Sequence, residues 1–257
     1  MGTETAARLT HELVTLEQPR QVIHAAGRWL ALNLADCGFD TWLKSSTSLQ
    51  RRAGTRVEQI SIQPSKFNRT GEYIGTSNIT LLVYDNGLRH TDVNLLRPNH
   101  IATDNRWICR TTFAGALDYG RHYEINLTTP QQRISQLEDF ARKVHEVAVP
   151  WFAYTRDPRN VGDLPDGFLD SCLPDIVDWL LGVDAQQAAR TLIGRWLALD
   201  TVRDHRPPHL RPPAWRTTAF EKGQDIAAAG GYPSTDQEWL GWVAYQWLGM
   251  PSLLDPM

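Results

Sequence analysis

The stretch QISIQPSKFNRTGEY, residues 59–73, begins as a strand and ends in a run of polar and cationic residues. Two isoleucines alternate with polar residues in QISIQ, which is the two-residue period of a strand that buries one face. Pro64 and Gly71 then interrupt this period, as they do in turns. We therefore expect a strand whose polar end lies at the rim of a sheet.

Five short segments with a strand pattern lie between residues 39 and 127. They are rich in β-branched and aromatic residues and are separated by Gly, Asn or Asp. In chain order they are TWLKS, VEQISIQ, SNITLLVYD, RWICRTTF and RHYEINL. Because no helical pattern separates them, they should pair mainly antiparallel. Val57 is out of phase with the two isoleucines, so we expect a β-bulge near Glu58.

Two amphipathic helices are predicted on either side of these strands, at residues 21–36 and 131–149. Gly38 should end the first and Pro150 the second. Residues after 157 show no strand pattern, and four further helices are predicted there. They cover residues 167–182, 185–204, 215–228 and 235–248.

The expected fold class is therefore α+β, with an antiparallel sheet packed by two long helices and followed by an α-helical C-terminal region. We expect two domains, residues 1–157 and residues 158–257. The helical region should dock on the first domain, because its helices are too apolar to remain exposed. The hexapeptide GRWLAL occurs at residues 27–32 and again at 194–199. Its flanks do not align, which favours two helices with similar packing over a duplication, although both readings stay open.

Residues 26–152 resemble a family of uncharacterised bacterial proteins known as domain of unknown function 4304. The matching positions are Gly38 and Phe39 after the first helix, Gln63, Ser65 and Phe67 at the strand end, Arg110 in a later strand, and Pro150 and Trp151. The resemblance implies an α+β domain of bacterial origin. It implies no catalytic residues, because the family has no assigned activity. The segment around residues 89–105 and the C-terminal helical region lie outside it.

Charge and cysteine content exclude several classes of site. The formal net charge of −3 gives no sign of the basic surface that nucleic acids or membranes require. Cys37, Cys109 and Cys172 are too far apart for a disulfide framework or a CxxC metal site, so we expect no metal and no cofactor. The N-terminal residues lack the pattern of a secretion signal. These features favour a cytoplasmic protein without a membrane anchor.

The candidate site is the polar face of the predicted sheet. Strand alternation places the following residues opposite the core: Asn78, Thr80, Tyr84, Arg110, Thr112, His122, Glu124 and Asn126. Binding of a substrate or partner is predicted for Arg110, Gln63, Lys66, Arg69 and Tyr84. His122 and Glu124 are the candidates for proton transfer. The alternative is that this is the ordinary solvated face of an antiparallel sheet.

Two functions remain open. The chain has no phosphate-binding GxxxxGK[ST] loop, no GxGxxG, no HExxH and no GxSxG, which favours a non-catalytic binding protein. Its partner would be another protein, as in immunity or defence systems. The alternative is an enzyme of unfamiliar type that acts on a small anionic substrate in a pocket on the polar sheet face. The segment EWLGWVAYQWLGM, residues 238–250, predicts a buried helix or a contact between identical subunits.

Overall fold

The computed structural model describes residues 2–85, 107–116, 123–163, 169–202 and 215–250. The fold is α+β, as predicted. The chain divides into two compact units, Met1–Tyr84 with Arg110–Tyr154, and Asp85–Cys109 with Thr155–Met257. Within the described residues, no helix has both the length and the apolar character needed to cross a membrane.

Five antiparallel strands form one sheet in which each strand lies beside its neighbour in the chain. The strands are β1 Thr41–Leu43, β2 Ser48–Ala53, β3 Arg56–Pro64, β4 Thr76–Asp85 and β5 Trp107–Thr112. Strand β2 is missing from the sequence prediction, because its arginines hide the alternation. The predicted strand RHYEINL is wrong in its described part, which makes only an isolated bridge between Gly75 and Asn126. Beside this bridge, the Ile125 N–H donates to the Thr76 hydroxyl at 2.9 Å. In a regular strand pair the acceptor of this hydrogen bond would be a backbone carbonyl.

The expected bulge near Glu58 does not occur. Strands β2 and β3 pair residue by residue from Ser48 opposite Ser61 to Ala53 opposite Arg56. Glu58 therefore lies on the same face as Ile60 and Ile62 and is only 2% exposed. Ion pairs from Arg51 and Arg56 compensate its buried charge, which removes the need for a bulge.

Five helices belong to the first unit within the described residues. They are α1 Gly2–Thr15, α2 Pro19–Asn33, α3 Phe113–Ala116, α4 Arg133–Lys143 and α5 Val149–Tyr154. Helix α2 ends at Asn33, earlier than predicted, and Gly38, at φ 86°, instead ends the 3₁₀ turn Ala35–Cys37 that follows it. The predicted helix break at Pro150 is wrong. The α-helix changes earlier, to a π-helical turn at Val144–Ala148, and helical structure then continues through Pro150. Pro150 is then the second residue of α5, where a missing N–H is tolerated.

Arg133 ties the N-terminal helix to the rest of the first unit. It is 2% exposed, and its guanidinium donates to the carbonyls of Leu127 at 2.6 Å, Leu13 at 2.6 Å and Leu16 at 2.7 Å. Two of these carbonyls stand at the C-terminus of α1, where helices leave carbonyls unpaired. Burial lowers the pKa of Arg133 from its ordinary value. Hydrogen bonds to the three carbonyls thus hold the buried Arg133 cation where α4, the C-terminal end of α1 and the segment at Leu127 meet.

The four helices predicted after residue 157 are confirmed, with small shifts at their ends. They are α6 Leu169–Gly182, α7 Gln186–Val202, α8 Trp215–Ala228 and α9 Asp236–Gln246. In α9, Trp239 is fully buried and Trp242 is 7% exposed, whereas Trp247, just after the helix, is 46% exposed. The Trp242 indole donates to the Gly231 carbonyl at 3.0 Å. The prediction of a largely buried helix is therefore confirmed.

The two GRWLAL copies pack differently. A Cβ atom at Gly27 would lie 2.2 Å from the ring of Trp42, so this glycine lets strand β1 approach α2. A Cβ atom at Gly194 would have nothing within 4 Å. The expected similarity of packing is therefore not found at the two glycines.

Candidate binding site

The connection between β3 and β4 is fixed by its own polar side chains. Asn68 donates to the Gly75 carbonyl at 3.0 Å and accepts the Gly75 N–H at 2.7 Å. The hydroxyl of Ser65 accepts the N–H of Phe67 at 3.2 Å. These side chains mimic backbone turns, so their role is to hold the connection in shape. The residues between them, Lys66 and Phe67, are exposed.

An open cavity of about 540 Å³ lies beside this connection, and we call it the aromatic cavity. Its lining residues are Gln63, Pro64, Ser65, Lys66, Phe67, Tyr73, Ser77 and Glu124. Phe67 is 68% exposed, and the Lys66 ammonium lies 5.1 Å from its ring centroid. A large ring held this far in solvent costs free energy in the isolated protein and is typical of contact surfaces.

Tyr73 and Glu124 form the polar wall of the aromatic cavity. The Tyr73 hydroxyl donates to Glu124 Oε2 at 3.3 Å. Burial, and then the charge of Glu124, raise the pKa of Tyr73 above its ordinary value. Tyr73 therefore stays protonated near neutral pH and acts as a hydrogen-bond donor.

A second cavity, of about 400 Å³, shares Pro64 and Ser65 with the aromatic cavity as lining residues, and we call it the cationic cavity. Its lining residues are Pro19, Arg20, Ile23, His24, Lys44, Ser45, Thr47, Pro64, Ser65 and Asn68. No acidic side chain is among these described lining residues. Arg20 and Lys44 are exposed cations there, and hydroxyl groups supply further donors. The cavity therefore suits an anionic group such as a carboxylate or phosphate.

His24 and Thr47 add two features to the cationic cavity. Burial, then the charges of Lys44, Arg20 and Arg28, lower the pKa of His24, so its imidazole is neutral at pH 7. Its Nδ1 atom is buried and has no hydrogen-bond partner among the described residues. Thr47 has a φ of +44°, in the left-handed region that non-glycine residues rarely adopt. Strain and unsatisfied polar atoms of this kind concentrate at functional sites.

The structure brings some of the predicted site residues together and leaves others apart. Gln63, Lys66 and Glu124 line the aromatic cavity, although Glu124 does not stand on the strand from which its position was predicted. Arg69 instead lies 3.7 Å from Glu72 in an exposed ion pair and lines neither cavity. Tyr84 and Arg110 are half-buried on β4 and β5 and are not among the residues that line either cavity, and His122 lies outside the described residues.

Sequence reasoning missed the cationic cavity. Arg20 and His24 come from α2, whereas Lys44 comes from the turn after β1, so no single periodic segment contains them. One signal was present, because Arg20, His24 and Arg28 recur every four residues and share a helix face. Comparisons with protein-family models, with curated proteins and with solved structures found no match to this chain.

Proposed function

We propose that this is a non-catalytic binding protein and that its partner is another protein, held across Pro64 and Ser65. The observation that carries the proposal is that both cavities share these two residues as lining. The cationic cavity and the aromatic cavity are therefore adjacent at Pro64 and Ser65. A partner segment with an acidic side chain near an apolar one would fill both.

The chemistry of the two cavities supports a protein partner over a small ligand. Arg20 and Lys44 attract a carboxylate, while Phe67 and Tyr73 offer ring surface to an apolar side chain. Exposed aromatic residues beside cations are typical of the residues that dominate binding energy at protein interfaces. The two hydrogen bonds between Asn68 and Gly75 hold the connection between β3 and β4 in shape. A surface that is formed before binding loses little entropy when a partner binds.

A random peptide library displayed on phage tests this proposal. We expect the full chain to select peptides that carry Asp or Glu close to an apolar residue. Lys44→Ala and Phe67→Ala should each weaken binding of the selected peptides by about tenfold, the effect of losing roughly 1.4 kcal/mol of contact energy. Calorimetry with synthetic peptides measures the change.

Two matched variants serve as controls. Arg52→Ala removes an exposed cation from β2, and Tyr232→Ala removes a ring that is 72% exposed in the second unit. Neither residue lines a cavity described here, so both variants should bind as the unchanged protein does. Selected peptides that bind equally to Lys44→Ala and Phe67→Ala, or a failure to select any acidic peptide, would count against the proposal.

A second candidate is an enzyme that acts on a small anionic substrate, and His24 is the observation that favours it. A neutral imidazole beside two cations is suited to accept a proton from a bound anion. Screening by thermal shift identifies small carboxylates or phosphates that bind the cationic cavity, and incubation with these compounds separates the two candidates. Conversion of a bound compound that is lost in His24→Gln supports the enzyme, whereas binding without conversion supports the binding protein.

A further inference from the structure

Three potential metal ligands meet at the end of α2, away from the lining of both cavities. Asp36 and Cys37 belong to the 3₁₀ turn Ala35–Cys37, and His145 belongs to the π-helical turn Val144–Ala148. One carboxylate oxygen, the thiol sulfur and one imidazole nitrogen all lie within 4.8 Å of one another. The Asp36 Oδ1 atom and the His145 Nε2 atom are 3.6 Å apart.

These separations are close to those of a tetrahedral zinc site. With zinc–ligand bonds of about 2.0 to 2.3 Å, two ligand atoms of a tetrahedron lie about 3.3 to 3.6 Å apart. The Asp36–His145 distance already has this value, and the thiol sulfur needs only a small side-chain movement. Thiolate, imidazole and carboxylate together favour Zn²⁺ over Mg²⁺ or Ca²⁺, which prefer oxygen ligands alone.

Local structure holds each ligand in place. The Cys37 N–H donates to Asp36 Oδ1 at 2.9 Å, and the Cys37 thiol donates to the Leu34 carbonyl at 3.2 Å. His145 stands on a π-helical turn, a rare element that occurs frequently at functional sites. Cys37 was read from the sequence as an isolated thiol, because its partner His145 lies far along the chain.

We propose that Asp36, Cys37 and His145 bind a Zn²⁺ ion and that its fourth coordination position is open to solvent. The side chains of Asp36 and His145 are 70% and 40% exposed, which gives the ion access and leaves room for a water or an outside ligand. On binding, the thiol loses its proton to solvent and the thiolate donates an electron pair to the metal. The ion would join the end of α2 to the π-helical turn, independently of the function proposed above.

Titration with Co²⁺ tests the site directly, using full-length chain without a histidine tag, stripped of metal and kept reduced. We expect one Co²⁺ per chain, a thiolate-to-cobalt charge-transfer band, intense visible bands of four-coordinate cobalt, and displacement by Zn²⁺. Cys37→Ser should abolish the charge-transfer band. Asp36→Asn and His145→Gln should each weaken Zn²⁺ binding at least about tenfold, since loss of even an outer-shell partner has that effect.

The remaining cysteines provide the matched control. The double variant Cys109→Ser with Cys172→Ser should keep the charge-transfer band and the Zn²⁺ affinity of the unchanged protein. Absence of the band in the unchanged protein, or its survival in Cys37→Ser, overturns the proposal. If circular dichroism shows that Cys37→Ser does not fold, the two variants of the exposed ligands test the zinc site. Unchanged Zn²⁺ affinity in both Asp36→Asn and His145→Gln would also overturn the proposal.

Discussion

Glu238 shows how a single buried carboxylate organises its surroundings. It is 4% exposed and accepts hydrogen bonds from Lys222 Nζ at 2.5 Å and from the N–H and hydroxyl of Ser234 at 2.8 and 2.6 Å. It also forms a capping box with Thr235 at the start of α9. Burial alone raises the pKa of Glu238, but Lys222 and Ser234 outweigh it and lower that pKa to about 2. The charged carboxylate thus joins α8 to the start of α9.

The stability of the protein should therefore depend on pH through Glu238. Its pKa is lower in the folded state than in the unfolded state, so its contribution is fully present above about pH 4.5 and is lost as pH falls toward 2. Glu238→Gln should lower the free energy of unfolding at pH 6 by about 2 to 3 kcal/mol, discounted for the exposed Lys222, and by much less at pH 3. Urea denaturation at both pH values measures this, with the exposed Asp225→Asn as control. An equal loss at pH 6 and pH 3 would contradict the explanation.

Helices α8 and α9 approach each other at two glycines. A Cβ atom at Gly223 would lie 2.0 Å from the Glu238 carbonyl oxygen, and one at Gly241 would lie 1.9 Å from the Phe220 carbonyl oxygen. Each helix therefore presents a glycine to the backbone of the other. Because the obstacle is backbone, a side-chain rotation cannot relieve the clash.

Alanine substitution should separate close packing from helix propensity. Gly241→Ala should destabilise the protein by about 1 to 3 kcal/mol or more, since the two helices must move apart. Gly194→Ala makes the same chemical change in α7, where a Cβ atom meets nothing within 4 Å, and should stabilise the protein by about 0.5 to 1 kcal/mol. Thermal unfolding measures both. If both variants shift the melting temperature in the same direction, the close approach is not what Gly241 provides.

At the scale of elements, the spacing of apolar residues predicted the helices and strands that have a regular apolar face. The apolar repeat of α6 to α9 was strong enough to place all four helices, and alternation in β3 gave Gln63 its exposed side. Pro150 was misread because the π-helical turn before it is a product of packing with no residue pattern of its own. The cationic cavity and the Asp36–His145 proximity join residues from distant segments, and no local period reports such contacts.

The chain as a whole consists of two units whose boundary passes through a strand. The division falls between Cys109 and Arg110, inside β5, and residues Asp85–Cys109 group with the C-terminal helices. The boundary at residue 157 stays a prediction. That the helical region docks on the sheet domain stays a prediction.

Truncation after residue 157 tests this organisation. A fragment of residues 1–157 retains β5 but lacks Thr155–Met257 apart from three residues, so part of the strand loses the unit with which it groups. We expect the fragment to bind a hydrophobic dye and to melt roughly 5 °C or more below the full chain, equivalent to about 2 kcal/mol. A monodisperse fragment without dye binding and with an unchanged melting temperature would show that the first unit is autonomous.

The hydrogen bonds from Arg133 to the end of α1 can form only after Arg133 has been synthesised. Helix α1 leaves the ribosome before Arg133, because the cation that binds the Leu13 carbonyl follows 120 residues later in the chain. At a translation rate of about 5 to 20 residues per second, that interval is roughly 6 to 24 s. Over this time the apolar face of α1, with Leu9 and Leu13, has no completed core to enter. We therefore expect α1 of the nascent chain to expose an apolar face that chaperones can bind until Arg133 has emerged.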